Sequence, residues 1–346
     1  MRIRRTYPIA LAVVIVAAAV TLTVELRKNA PPEPARLLPG ADAFLYGDFR
    51  WVRKVNSGPL PVVSRDPEYQ RFIQVTGIDF ERDLETVAFA VHYPAAWPGG
   101  GTGGAAPEPR FSEVFIGKFN GERLAQYLRG MARSVETYNS VDIYSIPMDH
   151  RTFRVAILSV DSVAASNHDD PEVIHGMVDR SRRLASPFGG PAFLRKYYKR
   201  VQLASPVWLV AKIQPSVPEF RSLSAIFTKP SDLVVSASFN PLHLPLRTGA
   251  LHLRAEASTG NDEDAHDITD RAATFLSMFH SAEVSVGAPG SDADVKALLD
   301  SLQVRQEGSR AVLYATIPTG VFRKMLESPP DVPVPDSSSS SAVKPR

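Results

Sequence analysis

Apolar positions along this chain alternate between two periods. "AFLYGDF" (43–49) and "TVAFAVHY" (86–93) are apolar over strand length. "ALHLRAEAS" (250–258) alternates strictly, with Leu251, Leu253, Ala255 and Ala257 on one face. The same pattern predicts strands at 112–119, 141–146, 153–158, 162–166, 207–213 and 232–239, with a tight connection at Val160–Asp161. Helical spacing takes over between them. Asp66 and Pro67 open one helix, and Asp170 and Pro171 another. Behind a cap position at Asn120, Leu124, Tyr127, Leu128, Met131 and Val135 fall on one helical face. "VPEFRSLSAIF" (217–227) predicts a short helix, and "SDADVKALLDSL" gathers Val295, Leu298, Leu299 and Leu302 on one side of another. "LQVRQEGSRAVLYATI" predicts a hairpin turning at Glu307–Ser309.

Each half of the chain thus reads strand, helix, strand, strand, helix, then a hairpin. The expected fold is α+β: an N-terminal transmembrane helix followed by two similar α+β modules with largely antiparallel sheets, at 41–190 and 191–327. The recurring element order points to internal duplication, although few residues match between the halves. Recurring hairpins and the lack of nucleotide-type βαβ spacing argue against a parallel doubly wound sheet.

The ends read differently. Three arginines in "MRIRR" precede Thr6–Val24, nineteen residues without a charge, which is long enough to span a bilayer. Arg2, Arg4 and Arg5 favour an N-in orientation, against which Arg27 and Lys28 weigh. The expected partner of Thr6–Val24 is therefore the lipid bilayer, with 1–28 as cytoplasmic stub and anchor. A signal peptide cleaved after Ala17–Ala19 is the rival reading, and both place the bulk of the chain in the periplasm or outside the cell. Residues 29–40 read as a Pro-rich extended spacer, and 328–346, rich in Pro and Ser, as a disordered tail.

Composition narrows the chemistry. The 346 residues carry 39 basic and 37 acidic side chains, a net charge of +2, so nothing calls for a nucleic-acid partner. Cysteine is absent, which removes disulfides, thiolate metal sites, cysteine nucleophiles and a lipidated cysteine.

"LLPGADAFLYGDF" (37–49), followed by "TGIDFERDLETVAFAV" (76–91), resembles a family of bacterial membrane-anchored extracytoplasmic proteins. The shared phrases cover about a quarter of the chain. The resemblance implies a repeated α+β architecture and transfers no catalytic residue.

The densest candidate chemistry is "TGNDEDAHDITDRAATFLSMF" (259–279). Ala265, Ile268, Ala272, Phe275, Leu276 and Phe279 share an apolar arc, which leaves His266 and Asp270 side by side on the wet face as a weak metal candidate. Asn261 as cap, with Asp262, Glu263 and Asp264 in the first turn, accounts for the acids more simply. "GTGGAA" (101–106) has the letters of a dinucleotide loop but no helix behind it, so no cofactor is expected. His168, Asp169 and Asp170 sit where a helix starts, and no H-E-x-x-H, G-x-S-x-G or Walker pattern occurs. A basic run holds Arg195, Lys196, Lys199 and Arg200, suited to anionic lipid or another acidic envelope component. These readings favour a binding or scaffolding protein of the envelope. The alternative is an envelope hydrolase or metal-dependent enzyme, which would have to gather at least three of His150, His168, His175, His266, Asp149, Asp169 and Asp270 into one concave pocket.

Overall fold

The strands that the alternating segments predict all enter one sheet. In a computed structural model, described here for residues 30–55, 66–93, 108–148, 151–182, 189–239, 250–285, 293–318 and 320–321, twelve strands form a single ladder. In chain order they are β1 (Ala43–Asp48), β2 (Leu84–His92), β3 (Arg110–Gly117), β4 (Ser134–Tyr138), β5 (Val141–Met148) and β6 (Arg151–Ile157). The others are β7 (Ser162–Ser166), β8 (Val207–Ile213), β9 (Ser231–Phe239), β10 (Leu251–Ser258), β11 (Gln303–Gln306) and β12 (Arg310–Ile317). Their spatial order is β11-β12-β10-β9-β8-β1-β2-β3-β7-β6-β5-β4, and every pair is antiparallel. The α+β class and the antiparallel sheet agree with the sequence. The sheet is continuous across position 190, because β1 pairs with β8, setting Leu45 opposite Leu209. From that central pair β2 and β3 spread to one side, β9 and β10 to the other.

Helices cover both faces. On the first lie α1 (Glu33–Leu37), α6 (Glu172–Ser181) and α7 (Ala192–Tyr198), whose Ala35, Leu37, Ile174, Met177 and Leu194 pack against Phe44, Tyr46, Trp208 and Val210. Trp208 is stacked on Tyr46 at 5.4 Å and meets Tyr198 edge-on at 5.4 Å. On the second face, α3 (Pro67–Thr76) and α5 (Gly121–Met131) cover one end, joining Leu124 and Leu128 to Tyr144, Ile146 and Val155. At the other end α8 (Asp262–Ser285) and α9 (Ala293–Asp300) lie against β11 and β12, where Ile268 of α8 packs with Ala257 and Ala311. The short elements α2 (Phe49–Val55) and α4 (Phe80–Asp83) flank β1 and β2.

Capping follows the sequence. Asp66 accepts from Glu68 N, Asn120 from Arg123 N at 3.1 Å, Asp170 from Glu172 N at 2.9 Å and Asn261 from Asp264 N at 2.7 Å. Four local expectations are corrected. Val135 leaves the predicted helix: α5 ends at Met131, Ala132 turns extended, and Val135 lies in β4 opposite Tyr144, where a β-branched side chain suits the strand. Residues 33–37 are helical rather than extended, and Ala35 and Leu38 have no exposed surface. Pro34, in the first turn, suits that helix start, and the adjacent Leu37 and Leu38 give the segment something to bury. The short helix expected over 217–227 is confined to Pro218–Leu223, as a 3-10 helix. The apolar arc of α8 is buried only at its start: Ala265 and Ile268 are buried, while Phe275 is 43% exposed.

Thr6–Val24, the loop 101–106 and the tail 328–346 lie outside the described residues. Among the described residues no helix is long and apolar enough to cross a membrane.

Candidate functional site

The acidic start of α8 resolves into a cap and a brace. His266 Nε2 lies 3.3 Å from Asp270, and its Nδ1 faces Gln306 Oε1 at 3.2 Å. Gln306 Nε2 in turn donates to the carbonyl of Asp262 at 2.9 Å. Both ring nitrogens are therefore engaged in tying helix α8 to edge strand β11. His266 and Asp270 are each 65% exposed at the side chain, and no cluster of three ligand-type residues exists among the described residues. Two exposed ligands give a metal ion too few bonds to displace its hydration.

The other histidines and acids named above sit elsewhere. His168 closes strand β7 and accepts from the amide of Asp170, while Asp169 pairs with Arg110 at 2.9 Å. His175, on α6, stacks on Tyr138 at 4.2 Å and touches Glu136 and Glu172. Asp149 and His150 lie outside the described residues. The described members thus occupy three separate places: the end of β7, α6 and α8.

A buried hydroxyl row links β3 and β7, which sequence reading did not find. Ser112 Oγ is 3.0 Å from Ser166 Oγ and 3.4 Å from His92 Nε2, with His168 edge-on to His92 at 5.0 Å. Burial, then the neighbouring His168, pushes His92 down to about 4, so it is neutral at pH 7. The set has the residue types of a serine–histidine pair, but Ser112 has no exposed surface and cannot meet a substrate. Its role is to satisfy polar groups beneath the helices. Glu113 points to the opposite face, between Phe89 and Ala165 in the ladder. It has no hydrogen-bond or ionic partner among the described residues, and desolvation pushes it up to about 7.

The basic run divides in two. Leu194 and Tyr197 bury one side of α7, and Tyr197 donates to Asp232. Arg195, Lys196 and Lys199 are exposed, with Lys196 Nζ 4.7 Å from the Tyr197 ring centroid. No acidic side chain pairs with Arg195 or Lys199 among the described residues. Arg200 turns inward instead and meets Glu256 at 2.7 Å. Glu256 is only 1% exposed and is also held by Arg254 at 2.9 Å and Arg310 at 3.4 Å. Three guanidiniums around one buried carboxylate stabilise it in a place where an unpaired charge would cost several kcal/mol, roughly 3–5. The only sequence signal for Glu256 was its position on the polar side of the alternation at 251–257.

Concave surface is limited. One cavity of 290 Å³ on the first face is lined by Glu33, Tyr46, Arg50, Thr86, Asp161 and Ser162. Its charges are mixed, and Arg50 is already paired with Asp48 at 2.8 Å.

No protein-family model matches the chain, and no curated protein matches it in sequence. Solved structures of the protein TP0453 are similar to it at low level. Crystal form I is 11% identical with a TM-score of 0.43, over 86% of this chain and 98% of that one. Crystal form III is 10% identical with a TM-score of 0.41, over 86% and 99%. Likeness of that degree carries no conclusion about chemistry.

Proposed function

We propose that this chain is a membrane-anchored extracytoplasmic binding or scaffolding protein of the cell envelope that docks on an anionic surface through α7. The observation that carries this reading is the ridge of Arg195, Lys196 and Lys199, exposed and without a salt bridge among the described residues, on a helix pinned by Leu194 and Tyr197. Clustered cations near a tethered surface gain about 1 kcal/mol each from anionic headgroups. The anchor itself rests on Thr6–Val24 and the arginines before it. A hydrolase assembled from dispersed histidines and acids has no constellation in its favour among the described residues.

The test is charge reversal of the ridge. Arg195→Glu, Lys196→Glu and Lys199→Glu together should weaken association with phosphatidylglycerol vesicles by about tenfold or more, with the loss shrinking at high salt. Arg200 is left intact because it neutralises Glu256. Association unchanged by the triple reversal would sink α7 as the contact.

Internal duplication belongs to the same reading. What supports it is that β1, β2, β3 and β8, β9, β10 extend in the same order from the central pair, the first trio followed by one helix and a hairpin, the second by two helices and a hairpin.

A further inference from the structure

The edge of the sheet at β4 is stepped. β4 begins at Ser134, opposite Ser145, whereas β5 and β6 continue to Met148 and Arg151. Pro147 stands in the overhanging part of β5 and has no N–H to offer a further strand. The step is the floor of a cavity of 430 Å³ lined by Arg133, Ser134, Ser145, Arg151, Thr152 and Arg154. Register explains why these side chains converge. Ser134, Ser145 and Arg154 are successive partners across β4, β5 and β6, and Thr152 is two residues from Arg154, so all four share one face. Arg133 arrives from the end of α5, fixed by its amide donating to the carbonyl of Ser145 at 2.8 Å.

The charge of this cavity differs from that of the cavity beside Arg50. Among the described residues no acidic side chain lines it. Arg151 is half-committed, to Glu108 and to the carbonyl of Pro109. Arg154 donates from Nη1 to the carbonyl of His168 at 2.8 Å and keeps its other donors. Arg133 is exposed and its guanidinium has no partner among the described residues. Two guanidiniums with free donors and three hydroxyls supply more hydrogen bonds than the two oxygens of a carboxylate can accept, and they suit the several oxygens of a phosphoryl group.

We propose that this cavity is a binding site for a phosphoryl group, with Arg133 and Arg154 as the charge contacts and Ser134, Ser145 and Thr152 as neutral donors. Its lining strands β6, β5 and β4 are the fourth to sixth from β1, roughly 19–29 Å away at ~4.8 Å per strand, and it is separate from the α7 ridge. The group can come from a soluble phosphate compound or from a lipid headgroup, and the test separates the two.

Full-length chain in non-ionic detergent is titrated calorimetrically with inorganic phosphate against chloride at constant ionic strength. Saturable uptake of one equivalent is expected, with a Kd of about 1 mM or tighter. Arg133→Gln should weaken it by about tenfold with an unchanged melting temperature, since Arg133 is exposed and its side chain makes no bond among the described residues. Ser145→Ala provides a second, neutral variant with a smaller loss. The α7 triple reversal should leave phosphate uptake intact, so failure of the docking reading and failure of this one give different results. If phosphatidylglycerol vesicles compete with phosphate in that triple variant, the source is a headgroup; if they do not, it is a soluble compound. No saturable uptake, or uptake equal in Arg133→Gln and the unaltered chain, overturns the proposal.

Discussion

Glu113 on β3 and His92 on β2 are shifted in opposite directions. Glu113 lies opposite Phe89 with no partner among the described residues, its carboxyl raised to about 7; His92, on the other face, is lowered to about 4. A carboxyl raised above its unfolded value holds its proton in the native state, so it lowers stability as pH rises from about 4.5 to about 7. A histidine lowered below its unfolded value does the opposite: the unfolded chain takes the proton, and stability rises with pH between about 4 and about 6.5. The two slopes oppose each other through most of that window. Glu113→Gln should therefore gain about 1–2 kcal/mol at pH 7.5, after allowance for its partial exposure, and nothing near pH 4.5. Urea midpoints at a series of pH values provide the check. A gain equal at both ends of the range would show that packing, not titration, sets the effect. Neither shift was legible in the sequence, because both depend on what covers the residue.

Helix α7 was placed by its sequence, but its four cations were not equivalent once placed. Pro191 sets the start, and Leu194 and Tyr197 define the buried side. Arg200, one turn on, reaches β10 and neutralises Glu256 together with Arg254 and Arg310. Glu256→Ala should cost about 3–5 kcal/mol, because it leaves three guanidiniums crowded without their counter-charge. Reversing Arg195 and Lys199 should change stability by no more than about 0.5 kcal/mol, since both are exposed and unpaired. Thermal or denaturant unfolding of the two variants makes the comparison, and equal losses would remove Glu256 as the anchor of α7. The α8 cluster followed the opposite course. Its cap at Asn261 and the outward side of His266 were readable from helical spacing, while the brace to Gln306 needed a strand forty residues away.

At the scale of the whole molecule the two halves meet through β1 and β8, and the sheet has no break there. Duplication predicts that β1, β2 and β3 superpose on β8, β9 and β10 by a half-turn about an axis between Leu45 and Leu209. A best superposition requiring some other rotation would argue against it. The sequence could propose two modules from element order, since order is written along the chain. It could not show that the modules share one ladder, since pairing between β1 and β8 joins residues as far apart as Ala43 and Ala211.

What the sequence determined by itself was local: the period of most strands and helices, the caps at Asp66, Asn120 and Asn261, and the outward side of His266. These depend on side chains a few residues apart, whose geometry is set by helix or strand repeat. Register was decided only by the tertiary structure. It placed Ser134, Ser145, Arg154, Ser166 and Ser112 in one row across five strands, made a cationic step at one end of that row and buried the other end beneath helices. The physical reason is that a strand's alternation tells which residues share its face, while the partner opposite each one is set by packing between segments distant in the chain.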